Sequence, residues 1–190
     1  TDILTEHTLE KIREFRSSDT PWFIYHAFLA PHAPIQPAPR YRERFEKTPA
    51  GEYTALVTQL DDAIGRLLEA VDADNTLVVF QSDNGGPRGQ NNIQLDANGG
   101  LRGNKGKIQE GGIRVPFILA RPDEEAPGTV CDTPMSALDI VPTCLAAAGI
   151  KPPDGLDGRV IPKDTGKIAK ERDLFWRWGK DSYAVRSGDW

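Results

Sequence analysis

Cysteine is scarce in this chain, with Cys131 and Cys144 the two present. Neither has a metal-ligand partner at short spacing, and two thiols do not make a disulfide framework. A cysteine-built metal site is thereby excluded, while the redox compartment stays open. Histidine is almost as rare, at His7, His26 and His32, so no histidine cluster can be drawn. No window approaches the roughly 20 apolar residues that a membrane span requires. No block of lysine and arginine offsets the formal net charge of −5, which argues against a nucleic-acid surface. Internal repeats are missing, and so is the GxxxxGK[ST] pattern of a P-loop.

What is present reads as a globular protein. The 190 residues are 38% hydrophobic and 27% charged, within the range for one domain able to bury a core. Residues 5–16 place Leu9, Ile12 and Phe15 at near-helical spacing, and Pro21 ends that helix. PWFIYHAFLA (residues 21–30) is a continuous apolar run of strand length, the pattern of a strand covered on both faces. APHAPIQPAPR (residues 30–40) is too rich in proline for a helix. The clearest helix is residues 52–71, with Leu56, Leu60, Ile64, Leu67, Leu68 and Val71 along one face; the Asp61–Asp62 pair reads as its solvated or structural part. TLVVFQ (residues 76–81) and VPFILA (residues 115–120) are further buried strands. SALDIVPTCLAAAG is a helix bent or started at Pro142 and stopped by Gly149. Residues 150–170 are turn-rich, and SYAVRSGDW alternates like half of a β-hairpin whose other half is not evident. Strands alternating with helices predict an α/β fold with a mainly parallel sheet flanked by helices.

Three places offer chemistry. β-prone LVVFQ runs into SDNGG, which sets Asp83 and Asn84 side by side where α/β sheets keep their ligands. Carboxylate and amide oxygens are hard donors suited to Ca2+ or Mg2+, although an adjacent acid and amide more often make a turn or a helix cap. His32, framed by prolines in APHAP, can be aimed into a cleft, whereas His7 and His26 read as structural. Lys105 lies in GGLRGNKGKIQEGG, where six glycines in fourteen residues let backbone and ammonium approach an anion closely. The competing reading is a solvated loop with Arg102, Lys105 and Lys107 on its surface. No single motif decides between them.

The order of blocks does. PWFIYHAFLAPHAP, YTALVTQLDDAIGRLLEAV, TLVVFQSDNGG, LRGNKGKIQEGGIRVPFILARP and SALDIVPTCLAAAGI together resemble the type I sulfatases of the alkaline-phosphatase-like superfamily. The SDNG and LRGxKGxxxEGGxRVP blocks are the most specific. The resemblance implies an alkaline-phosphatase-like α/β fold, with residues 1–150 the later part of a catalytic domain and residues 151–190 a turn-rich connection into a small C-terminal β subdomain. It implies that Asp83 and Asn84 ligate a divalent cation, usually calcium. It further implies that Lys105 binds a sulfate oxygen and steadies the leaving oxygen, and that His32 contacts the sulfate and protonates the departing alcohol. Glu110 and Arg114 look like loop supports.

Departures from the family pattern are Asn104, where glycine is common, and Ala137, where histidine is frequent. A larger one is the nucleophile: neither CDTPM at Cys131 nor CLAAA at Cys144 fits the C/S-x-P-S-R motif that yields formylglycine. The remaining metal-binding aspartates have no counterpart either. The expectation is therefore a piece of a sulfatase, incomplete at both ends and inactive alone, with an exposed sheet edge that favours self-association. Its substrate would be a sulfate ester, with the Asn/Gln-rich residues 87–98 at the mouth suiting a sulfated sugar. Rival readings are a phosphodiesterase or phosphonate monoester hydrolase of the same superfamily, or a non-catalytic binding homologue. Joint retention of His32, Asp83, Asn84 and Lys105 weighs against the last. Location is left open; the resemblance alone points to an exported or lysosomal protein.

Overall fold

Amphipathic spacing at the start of the chain produces helix α1 (Asp2–Arg16), which buries Thr5, Leu9 and Ile12. The computed structural model describes residues 1–87, 93, 95–122, 128–164 and 172–188. Helix α2 (Pro39–Arg42) opens on a proline at its first turn, where a missing N–H costs nothing. In helix α3 (Pro49–Ala70) the Thr48 side chain caps the Gly51 N–H. Strand β1 (Val78–Gln81) and strand β2 (Phe117–Ala120) form one antiparallel pair. Between them lies the short helix α4 (Glu110–Ile113). A 3-10 turn (Ala137–Asp139) leads into helix α5 (Ile140–Ala147). Strands β3 (Asp173–Trp178) and β4 (Ser182–Ser187) make a second antiparallel pair. No helix among the described residues is long and apolar enough to cross a membrane.

Internal packing divides the chain into two compact units, residues 1–73 with 87–95 and residues 74–86 with 96–190. In the first, polar groups lock the helices. The buried Gln59 donates to Asp2 Oδ1 at 2.7 Å and accepts from the Ala38 N–H at 2.9 Å. Arg66 pairs with Glu6, and Arg16 donates to the Ala70 carbonyl at 2.7 Å. Asp61 and Asp62 are exposed on α3, in keeping with a solvated pair.

Residues 21–29 depart from expectation. They form no helix and join no ladder among the described residues. Their burial alternates: Phe23, Tyr25 and Leu29 are exposed, while Trp22, Ile24, His26 and Phe28 are partly covered. Helix α1 explains the covered face, since Phe15 stacks on Trp22 with ring centroids 6.3 Å apart and Thr8 shares a 2.6 Å hydrogen bond with His26 Nδ1. An apolar run specifies two buried faces only where both have neighbours, and this unit provides one. Burial pushes the His26 imidazole below its ordinary pKa, as desolvation of the charged form requires.

Two other expectations bear on the second unit. Both ladders formed among the described residues are antiparallel, so the parallel pairing expected from the alternation is not among them. The hairpin that ends the chain also has its other half: β4 pairs in register with β3, from Asp173↔Ser187 to Trp178↔Ser182. Their connection turns at Gly179, whose φ of +63° suits glycine. Pro142 sits within the first turn of α5, and Gly149 ends that helix with φ +71°, as the sequence implied. Residues 165–170 of the turn-rich stretch, with 171 and 189–190, lie outside the described residues.

Candidate functional site

The site begins where β1 stops pairing. The ladder closes with the Ser82 N–H donating to the Pro116 carbonyl at 3.2 Å. Ser82 Oγ then donates to the Asn84 carbonyl at 2.8 Å, and Asn84 Nδ2 donates to the Gly85 carbonyl at 3.2 Å. These bonds curl the chain so that Asp83 is exposed and the Asn84 amide is fixed by its nitrogen. The amide oxygen is then the atom a cation can use.

Glycines join this turn to the lysine loop. The Gly85 N–H donates to the Gly112 carbonyl at 3.0 Å, and the Lys105 N–H to the Gly86 carbonyl at 3.3 Å. A Cβ on Gly85 would stand 1.8 Å from the Gly111 oxygen, and one on Gly112 would stand 2.0 Å from the Lys107 oxygen. The density of glycine therefore reflects backbone lying on backbone. Gly85→Ala should force the two segments apart, costing about 1–3 kcal/mol as overpacking does. Thermal melting of the variant checks this, and an unchanged midpoint would contradict the clasp.

Asn98 completes the join. Its Oδ1 accepts from the Gly86 N–H at 2.7 Å, while Nδ2 donates to the carbonyls of Gly86 at 3.2 Å and Gly103 at 3.4 Å. One amide thus ties the end of the SDNGG turn to the loop that carries Lys105. The sequence reading placed Asn98 only in the polar mouth, and it missed this positioning role. Residues 88–92 and 94 of that proposed mouth lie outside the described residues.

Asp83, Asn84 and Lys105 are therefore brought onto adjoining segments of one unit. His32 belongs to the other unit. There its N–H donates to the Leu29 carbonyl at 2.9 Å, and its Nδ1 lies 2.7 Å from the Ala33 carbonyl. A carbonyl only accepts, so Nδ1 carries a proton and Nε2 is the nitrogen left for a ligand. The flanking Ala30–Pro31 and Ala33–Pro34 peptide bonds are cis, and the ring is exposed.

The donor chemistry at Asp83 and Asn84 fits a hard divalent cation: one carboxylate and one amide, both oxygen. Among the described residues no three His, Cys, Asp or Glu side chains converge. Asp83 and Asn84 thus offer two of the roughly six to eight oxygens that calcium takes.

A family model described as Sulfatase matches residues 1–150. A sulfatase of Formosa agariphila is 32% identical over 206 residues, covering 94% of this chain and 36% of its own. The N-acetylgalactosamine-6-sulfatase of Mus musculus is 31% identical over 199 residues, covering 100% of this chain and 37% of its own. This chain thus spans little more than a third of the length of these curated relatives. Among solved structures, Ps i-CgsB in complex with k-i-k-neocarrahexaose superposes with a TM-score of 0.85 at 30% identity, over 98% of this chain and 44% of that one.

Proposed function

Because the chain belongs to the sulfatase family, with the α/β alkaline-phosphatase-like fold of its structural neighbours, we propose that it is part of a sulfuric ester hydrolase. In this reading residues 1–150 belong to the catalytic α/β domain and residues 151–190 begin a smaller β subdomain. The observation that carries the reading is the backbone clasp between the Asp83–Asn84 turn and the Lys105 loop, joined at Gly85–Gly112 and Gly86–Lys105. A carboxylate–amide pair and a lysine on interlocked turns suit a doubly coordinated anionic ester.

Asp83 and Asn84 would hold calcium (or Mg2+) through Oδ atoms, together with ligands from outside these residues. A cation held there would supply Lewis-acid stabilisation of negative charge on the sulfate oxygens. Lys105 places its ammonium against a sulfate oxygen and steadies the charge that grows on the leaving oxygen. His32 as the imidazolium, its Nδ1–H held by the Ala33 carbonyl, delivers the Nε2 proton to the departing alcohol and is left neutral. The nucleophile, a formylglycine by family resemblance, comes from outside these 190 residues, which are inactive alone. Exposed Phe23, Tyr25 and Leu29 favour self-association of the isolated chain.

A sugar sulfate is the substrate class that the relatives favour. One is named N-acetylgalactosamine-6-sulfatase, and the neighbouring Ps i-CgsB structure is a complex with k-i-k-neocarrahexaose. The test is release of inorganic sulfate by the full-length protein before and after removal of divalent cations. Chelation should bring the rate to background, calcium should restore it, and Asp83→Asn should weaken calcium binding in a titration. Full activity after exhaustive chelation would overturn the metal assignment, and no release from any sulfate ester would overturn the activity.

A further inference from the structure

Hairpin β3–β4 meets the lysine loop through one face. Leu174, Trp176 and Trp178 alternate onto it, opposite Arg186, Ala184 and Ser182. At one end of this face Arg186 Nη1 lies 3.9 Å from Glu110 Oε1. At the other the Trp178 indole lies against Gly106, where a Cβ would come within 3.5 Å of Cζ2. Gly106 turns in the left-handed region with φ +78°, so the residue directly after Lys105 is bare backbone under an aromatic ring. A structural strut would be covered, as Leu174 is at 8% exposure, yet Trp178 is 60% exposed. One edge of the indole packs on Gly106, and most of the side chain stays exposed there, one residue along the chain from Lys105.

We propose that Trp178 is a substrate-binding residue whose indole forms the platform for the sugar ring of the sulfate ester held at Lys105. Binding sites for small molecules pair apolar and aromatic walls with a few fixed polar groups. Here Lys105 would hold the sulfate while the indole takes the C–H face of the ring. Aromatic faces give such contacts a large apolar area with a defined orientation. The assignment rests on the sulfatase reading above and deepens it by naming what recognises the alcohol part.

The test uses the full-length protein and three probes: inorganic sulfate, N-acetylgalactosamine 6-sulfate and a carrageenan hexasaccharide. Sulfate reports the anion site without a ring to stack. Trp178→Ala should raise the dissociation constant of at least one sugar probe about tenfold and leave that of inorganic sulfate unchanged, and Trp178→Phe should recover most of the loss. Equal weakening of sulfate and sugar would show that Trp178 only props the lysine loop, and would overturn the proposal. So would unchanged binding of every probe, or no sugar bound by the unaltered protein. If Trp178→Ala does not fold, Trp178→Leu keeps an apolar contact on Gly106 without a flat ring and carries the same comparison. Sugar binding that depends on Trp178 in a protein that hydrolyses no sulfate ester would support the platform and refute the enzymatic reading.

Discussion

Lys105→Ala in the full-length protein should lower kcat for sulfate ester hydrolysis by roughly 10²–10³-fold, the loss seen when one preorganised charge-stabilising group is removed. The size follows from placement. The Lys105 N–H is bound to the Gly86 carbonyl at 3.3 Å, and Asn98 holds both that carbonyl and the Gly86 N–H, so the lysine's backbone is set before substrate arrives. A preorganised cation does its work where charge develops, and kcat and kcat/KM should fall together. Lys107 is two residues away and exposed; Lys107→Ala should change kcat by less than about twofold, as surface substitutions usually do. Steady-state kinetics on both variants decides the matter. A rise in KM with kcat intact would mean that Lys105 merely attracts the anion.

The second large effect concerns stability. Asp139 is 1% exposed and its carboxylate is fully engaged. Oδ2 accepts from the Ser136 N–H at 2.8 Å and from Arg172 Nη1 at 2.6 Å, and Oδ1 accepts from the Arg159 N–H at 2.8 Å. Asp139→Ala strands the largely covered Arg172 guanidinium and leaves two backbone donors without their acceptor, which should cost about 3–5 kcal/mol. The consequence reaches the site, because Arg172 directly precedes β3 and the strand ends at Trp178.

The same carboxylate predicts a pH dependence. Burial alone would raise its pKa, but Arg172 and the two backbone donors outweigh burial and hold it below the ordinary value of 3.8. A group whose folded pKa is depressed stabilises the fold above its unfolded pKa and loses that contribution as pH falls through the folded one. The stability contributed by Asp139 should therefore be complete at neutral pH and drain away below about pH 4. Denaturant unfolding of wild type and Asp139→Ala should converge in acid. A neutral-pH difference below about 1 kcal/mol would contradict the account, since removing one partner of a buried pair leaves the other uncompensated.

Much of this was legible in the chain, and the failures have physical causes. Periodicity located α1 and α3 because the two helices pack together and each buries apolar residues, Leu9 and Ile12 on one and Leu56 and Ala63 on the other. Apolar runs located β1 and β2, since four-residue strands flanked by turns leave little else to read. The run at residues 21–29 misled because composition records how apolar a segment is, and not how many neighbours its unit provides. Strand β3 went unseen because DLFWRW mixes charge and aromatics, although the glycine at 179 ahead of an alternating stretch is a hairpin signal. Asn98 was invisible for a different reason: its value lies in a side chain that mimics a backbone partner for Gly86, and nothing in an Asn-rich loop distinguishes that asparagine. Asp83, Asn84 and Lys105 were nominated by the order of motifs, and the clasp explains why glycines flank them.

The measurement that bears most directly on the central claim compares initial rates of the full-length protein, in calcium, on nitrophenyl sulfate and on bis(nitrophenyl) phosphate, alongside Lys105→Ala. The account expects sulfate release to dominate and to collapse in the variant. Preferential cleavage of the phosphodiester would place the protein in a neighbouring branch of the superfamily, and hydrolysis of neither would make it a binding homologue that has kept the site without its chemistry.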